Sequence, residues 1–244
     1  GVFIGTDAEK AGIGHLPSPT VGVLQLKRAD GSPAYVPPRP VLATAAVKHV
    51  GDPVVLVVAE SLQQAHDAAD LVNIDYDMLP SLTDTAVAAN PGVAQIWADA
   101  PQNTCFEWAM GDAAATDAAF AKADHVTAID VINNRVICAS MEPRGATGAY
   151  DAAGDTYTLH TNCQNVFQLG QVAAGIMGTD EKHMHVMTDD VGGGFGMKGY
   201  IYAEQILVLW AAKALGRPVK WYGDRSESFV SDAHGRDHVT HAEL

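Results

Sequence analysis

The sequence predicts an α+β chain made of two units. Three observations carry that expectation. Apolar segments of strand length, above all Pro53-Val-Val-Leu-Val-Val-Ala59, lead into a capped helical pattern and a further extended segment. A second series of strand-like and helical patterns begins near Cys105, after a stretch broken by Asn90-Pro91-Gly92 and Pro101. Between the apolar alternation of His183 to Thr188 and the helical pattern of Tyr200 to Leu215 lies Val191-Gly-Gly-Gly-Phe-Gly-Met-Lys-Gly-Tyr200, a loop rich in glycine.

Taken in order, residues 1–40 open with Gly-Val-Phe-Ile-Gly and then become loop-like, with Pro17, Pro19, Pro33, Pro37, Pro38 and Pro40 removing donors and favouring extended backbone. Ala45 to Val50 and Pro53 to Ala59 read as strands joined by a Gly51-Asp52 turn. Ser61 caps a helix to about Val72, with Leu62, Ala65, Ala69 and Val72 on one face. Asn73 to Met78 reads as a third strand. In the second unit, Asp112 to Ala123 is helical and His125 to Arg135 alternates as a strand. Tyr150 and the Tyr157 to His160 segment lie on strands around Asp151-Ala-Ala-Gly-Asp155, and Gln164 to Met177 is a helix stopped by Gly178. Pro218 to Tyr222 is a strand, Arg225 to Ser231 a helical turn, and the chain ends in a strand pattern. The domain division expected is 1–89, a linker at 90–104, and 105–244.

Composition excludes several classes. A formal net charge of -14 disfavours a nucleic-acid partner, which calls for clustered Lys and Arg. No apolar run approaches the length of a membrane span. Cys105, Cys138 and Cys163 show no CxxC spacing, so neither a zinc knuckle nor a disulfide framework is indicated and a reducing interior is expected; the acidic chain without a signal-peptide pattern points to the cytoplasm. The absence of an initiator Met and the stop inside a strand pattern read as the ends of an excerpt.

The glycine loop is a cradle: glycine lets another molecule approach the peptide groups, and a loop opening onto a helix N-terminus presents unpaired N–H groups. Gly194-Phe-Gly196-Met-Lys-Gly199 satisfies the G-x-G-x-x-G dinucleotide pattern, with Asp224 beyond the next strand for a ribose contact. Against that reading, Asp189 to Gly193 separate the strand from the first motif glycine, and two carboxylates precede the cradle. A Walker A loop fails because Gly199 follows Lys198.

Gly192-Gly-Gly-Phe-Gly-Met-Lys198, taken with Gly216-Arg-Pro-Val-Lys-Trp-Tyr-Gly-Asp-Arg225, resembles the molybdenum-binding subunit of the xanthine dehydrogenase, aldehyde oxidase and aerobic carbon monoxide dehydrogenase family. Other segments agree in order. Val47-Lys-His-Val-Gly-Asp-Pro-Val-Val-Leu-Val-Val-Ala59 and Asp75-Tyr-Asp-Met-Leu-Pro80 resemble its α/β hammerhead domain, and Phe106-Glu-Trp-Ala-Met-Gly-Asp112, Met141-Glu-Pro-Arg144 and Asn162-Cys-Gln-Asn165 the start of its molybdopterin-binding domain. The resemblance implies a truncated hammerhead domain followed by the first part of a molybdopterin-binding domain, both in an enzyme that hydroxylates an aldehyde, N-heterocycle or related small molecule with water-derived oxygen. It implies a molybdenum-pterin cofactor, as molybdopterin or its cytosine dinucleotide, with [2Fe-2S] and FAD on partner subunits or domains, in a dimer of heteromers.

By motif, Gln164 matches the family glutamine that donates to the apical oxo group of molybdenum. Gly193, Gly194, Phe195 and Gly196 match the loop beside the metal. The resemblance implies no side-chain ligand to the metal, and it places the catalytic glutamate beyond Leu244, so no catalytic residue is expected within this stretch. Xanthine-type members carry Glu where this chain has Gly199, which speaks against purine hydroxylation. Two other readings stand beside this one: an NAD-dependent Rossmann dehydrogenase using Gly194, Gly196, Gly199 and Asp224, and a non-catalytic scaffold fragment. Of the remaining polar residues, His183 and His185 are expected on one strand face, His234, His238 and His241 exposed, Asp224-Arg225 with Glu227 at a helix start, and Glu142 paired with Arg144.

Overall fold

The computed structural model describes residues 1–18 and 24–244; Pro19 lies outside the described residues. The chain divides into two units, one of Gly1–Pro17, Pro38–Asp77 and Ile137–His234, the other of Ser18–Pro37, Met78–Val136 and Gly235–Leu244.

The first unit begins with β1 (Val2–Ile4) and α1 (Gly5–Lys10), where the sequence suggested mainly connection. β1 pairs antiparallel with β2 (Val55–Val57) because Phe3 has somewhere to go: its ring meets Trp210 edge-on at 5.0 Å. The expected strand at Ala45 to Val50 does not form. The N–H groups of Lys48 and His49 both turn onto Asp52 Oδ2, closing the turn at Gly51, and are spent before any ladder can use them. Ser61 caps α2 (Leu62–Ala69) by accepting from the Gln64 N–H at 3.3 Å. Asn73 to Met78 is likewise not a strand; every residue in it is exposed, and no strand is assigned beside it among the described residues.

The main sheet is built from β5 (Gly145–Asp151), β6 (Thr156–Thr161), β7 (Met184–Met187) and β8 (Val219–Tyr222), in the order β7-β6-β5-β8. The β5–β6 hairpin and the β5–β8 pair are antiparallel, and β6 and β7 run parallel, as the crossover through α4 (Val166–Met177) requires. Gly178, at φ 64°, ends α4 as anticipated. Alternation along β5 and β6 turns Ala146, Gly148, Tyr157, Leu159 and Thr161 inward. The helix α5 (Ala203–Leu215) lies on this face and is buried nearly all round, with Ile206, Val208, Leu209 and Ala211 fully enclosed. Its backbone comes so close to β5 that a Cβ on Gly148 would lie 2.5 Å from the Val208 carbonyl. The helix α6 (Arg225–Ser231) follows β8, capped by Asp224.

In the second unit, Asp112 caps α3 (Ala113–Phe120), and β3 (Ala128–Asn133) pairs antiparallel with β10 (His238–Glu243) in a ribbon exposed on both faces. The two-residue strands β4 (Val136–Ile137) and β9 (His234–Gly235) complete the inventory of described strands. Within the expected linker at 90–104 and just before it, the backbone is held by one side chain. Asn103 donates to the carbonyls of Ala88 and Ala94, both at 2.9 Å, and accepts from the Ile96 N–H at 2.8 Å. Its φ of 54° is one that asparagine tolerates better than most residues.

Candidate functional site

The loop from Val191 to Tyr200 leaves β7 through Thr188, Asp189 and Asp190 and folds back under its own tip. Gly193 and Gly196 take φ of 98° and 81°, the left-handed region that favours glycine. Phe195 between them also has a positive φ, 52°, which costs a residue with a Cβ. Its ring is 73% exposed, so it is not a core anchor for the loop. Met197 and Lys198 point the other way and are buried. A 3₁₀ turn at Met197–Gly199 follows, then extended backbone to Tyr202, and only then α5. The loop therefore does not open directly onto a helix N-terminus.

Gln164 sits beside this loop. It lies between β6 and α4, one residue before Asn165, whose side chain caps α4 by accepting from the Gln168 N–H at 3.1 Å. Its backbone N–H donates to the Lys198 carbonyl at 3.1 Å. Its side-chain amide packs against Gly194: a Cβ there would stand 2.7 Å from Gln164 Cδ and Oε1. Gln164, Gly193, Gly194, Phe195 and Gly196, all singled out from sequence, are thus one surface feature. Gln164 and Phe195 are exposed, so both are presented outward. The preceding segment is pinned as well. Asn162 accepts from the Gly145 N–H at 3.0 Å and donates to the Pro143 carbonyl at 2.8 Å.

Several partners differ from expectation. Glu142 does not pair with Arg144. Its Oε2 accepts from Lys198 Nζ and from the Gly192 N–H, both at 2.8 Å. Burial raises the Glu142 pKa, but the hydrogen bonds from Lys198 and Gly192 outweigh it and hold the carboxyl below its ordinary range. Arg144 is buried instead among Glu204 (2.8 Å), Asp232 (2.6 Å) and Ser231 (2.8 Å), with its guanidinium 3.8 Å from the centre of the Tyr202 ring. Burial opposes its charge, yet Glu204 and Asp232 hold its pKa above the ordinary arginine value. Burial also lifts the Tyr202 hydroxyl to about 12, and it donates to the Met197 carbonyl at 3.0 Å under the loop. Arg225 spends one Nη2 on the carbonyls of Ser140 (2.6 Å) and Met141 (3.1 Å).

The dinucleotide reading fails on this geometry. A Rossmann turn requires a parallel sheet and a glycine turn running straight into its helix; here β5 runs antiparallel within the sheet and Gly199 ends a separate 3₁₀ turn. Asp224 is committed as the cap of α6, accepting from the Glu227 N–H at 2.7 Å. His183 lies in a 3₁₀ turn, not on β7 beside His185, and its Nδ1 contacts the Asp155 carbonyl at 2.9 Å. His241 contacts Asp130 at 2.7 Å. Among the described residues no group of three His, Cys, Asp or Glu side chains is arranged to hold a metal ion. Burial raises the thiol pKa of Cys105 and Cys163, which fits a structural role. Cys138 is nearer the site, with Sγ 3.7 Å from the Phe195 carbonyl. Sequence periodicity gave no signal for the Glu142–Lys198 contact, whose partners lie 56 residues apart.

Residues 96–244 match the model of the molybdopterin cofactor-binding domain, and residues 23–80 that of the aldehyde oxidase and xanthine dehydrogenase a/b hammerhead domain. The chain is 36% identical over 205 residues to the 6-hydroxypseudooxynicotine dehydrogenase complex subunit gamma of Paenarthrobacter nicotinovorans, an alignment covering 84% of this chain and 25% of that protein. It is 35% identical over 201 residues to the nicotine 6-hydroxylase large subunit of the same organism, covering 81% and 24%. Among solved structures it superimposes on CO dehydrogenase from Oligotropha carboxidovorans and on quinoline 2-oxidoreductase from Pseudomonas putida 86. Each superposition has a TM-score of 0.87 and 28% identity, over 100% of this chain and 30% of the other. The chain spans about a quarter of the length of the curated relatives it matches.

Proposed function

The chain belongs to the aldehyde oxidase and xanthine dehydrogenase family of molybdopterin cofactor-binding proteins, and from that premise we propose that it is part of a molybdenum hydroxylase in which Gln164 and the loop of Gly193, Gly194, Phe195 and Gly196 hold the molybdenum-pterin group. The observation that carries the proposal is the contact between Gln164 and Gly194. A Cβ at Gly194 would fill the space the amide occupies, so the loop and the amide are shaped as one cradle. The residues fit such a group. The tip offers glycine backbone, an uncharged amide and an exposed aromatic ring, with buried Lys198 beneath already neutralised by Glu142.

When bound, the group supplies two-electron redox chemistry that adds water-derived oxygen to a carbon of an aldehyde, N-heterocycle or related small molecule. Gln164 provides a neutral N–H donor that can stabilise an oxygen of the group without titrating. The φ > 0 glycines let backbone N–H groups approach it, and the exposed Phe195 ring between them offers an apolar surface beside it. No residue of the stretch serves as the catalytic base. That role is assigned outside it, as are the electron-accepting [2Fe-2S] and FAD partners and the dimer-of-heteromers assembly.

An N-heterocycle is favoured as substrate, since relatives at 35% and 28% identity are named for nicotine and quinoline. Gly199 is consistent with a pocket that lacks a purine-binding acid. The proposed organisation is a hammerhead domain at 1–89, a linker at 90–104 and the first part of the cofactor domain from 105. Among the described residues no helix is long and apolar enough to cross a membrane, and a cytoplasmic setting is proposed. The test is elemental molybdenum on the intact native protein purified with its partner subunits. Near-stoichiometric metal is expected; a preparation that lacks molybdenum at full purity and folding would overturn the proposal.

A further inference from the structure

We infer that Glu142 and Lys198 form a staple that sets the opening of the glycine loop, which makes both of them positioning residues for the group the loop holds. The inference rests on the cofactor reading given above. Its basis is that one carboxylate oxygen joins the two ends of the loop. Glu142 Oε2 accepts from the Gly192 N–H at the entry and from Lys198 Nζ at the exit, each at 2.8 Å, with Phe195 at the apex between them. The Glu142 N–H returns a bond to the Gly192 carbonyl at 3.1 Å, so the entry is held in both directions.

Lys198 performs a second task from the same place. Its side chain is fully enclosed, and its carbonyl accepts from the Gln164 N–H. The residue that closes the staple is therefore the one that fixes the backbone of Gln164. The backbone that carries Glu142 is itself held. The Glu142 carbonyl accepts from Ser140 Oγ at 2.7 Å, and Arg225 grips the carbonyls of Ser140 and Met141, tying the segment to α6. Close approach is built in at Gly192, where a Cβ would stand 2.5 Å from Glu142 Cβ.

An enclosed ammonium is strongly unfavourable without its counter-ion. Lys198 can therefore stay inside only while Glu142 is opposite it, and the alternative is for Lys198 to leave and carry Met197 and the loop exit with it. Glu142 is itself 31% exposed, which moderates the desolvation cost on its side of the pair. The staple is thus strong where it faces inward and does not add a net charge beneath the cradle.

The test uses the full-length protein with its partner subunits and the variants K198M, E142Q and K198M/E142Q. Three quantities are followed: molybdenum per protein, the electron paramagnetic resonance spectrum of the molybdenum that remains, and hydrogen exchange of residues 192–199 against residues 203–215. Each single variant is expected to lose metal about tenfold, the scale of second-shell partners in metal sites. Its residual spectrum is altered and residues 192–199 exchange faster, while α5 keeps its protection. The double variant, with no enclosed charge left unpaired, keeps that protection as well and still lacks the metal. Full occupancy with the wild-type spectrum in both single variants overturns the staple. So does a loss of metal that only tracks lost protection of α5 and leaves the residual spectrum unchanged. If wild-type protein itself holds no molybdenum, the cofactor reading fails, and the exchange of 192–199 alone decides the staple.

Discussion

Replacing Gly194 with alanine separates what the glycine does for the site from what it does for the fold. The backbone at Gly194, unlike that at Gly193 and Gly196, does not require a positive φ, so alanine is conformationally allowed. Its Cβ would meet Gln164 Cδ and Oε1 at 2.7 Å and Cγ at 2.8 Å. Carbon contacts relax to about 3.5–4.0 Å, so the amide has to retreat by roughly 1 Å. Because Gln164 is exposed and its side chain can rotate, that retreat costs stability about 0.5–1.5 kcal/mol as off-rotamer strain. The reduced freedom of the unfolded chain returns about 0.4–1 kcal/mol. The net change in stability is near zero. Function is a different matter, because a misplacement of about 1 Å at a positioned group can cost about a hundredfold in rate. In the full-length complex, G194A should melt within a few degrees of wild type while losing molybdenum or turnover. Gly148→Ala supplies the contrast: there the new Cβ meets the α5 backbone, which cannot rotate away, and the fold itself should fail. Wild-type molybdenum content and turnover in G194A would refute the reasoning, and so would a melting point as low as that of G148A.

Other consequences can be checked with simpler assays. Arg144→Met leaves Glu204 and Asp232 without the cation between them and should cost about 3–5 kcal/mol, read from the denaturant midpoint. Asn103→Ala removes the three bonds that fold residues 88–96 and should cost about 1–3 kcal/mol of local stability, seen as faster proteolytic nicking within that stretch. In the β3–β10 ribbon, the hydrogen bond that His241 donates to Asp130, with a second to Glu243, raises the pKa of His241 above 6.5. Its contribution is therefore fully present below pH 6.5 and lost as pH rises through the folded-state pKa. Exchange in the ribbon, corrected for its intrinsic pH dependence, should quicken across that window in wild type and not in His241→Asn.

What the sequence made legible was local. Gly178 and Asp224 carry their own conformational instructions, so the end of α4 and the start of α6 follow from residue type and spacing. The β5–β6 hairpin follows from alternation around Asp151 to Asp155. Alternation did not suffice where the partner was missing. Ala45 to Val50 has the residues of a strand, but Asp52 takes two of its donors. Asn73 to Met78 has them too and lies exposed, because a strand is a relation between two segments that one segment cannot encode. The same limit applies within the site. Resemblance pointed to Gln164 and the glycines, and residue chemistry gave a reason why a loop would need them. Neither could show that Gly194 is glycine on account of Gln164, or that Lys198 is enclosed on account of Glu142, since each dependence crosses thirty residues or more of sequence. Those two dependences share Lys198, through its carbonyl on one side and its ammonium on the other. The Gln164 backbone and the loop exit are therefore tied at one residue, so a change at Lys198 is felt by both, whereas the exposed Gln164 side chain remains free to rotate.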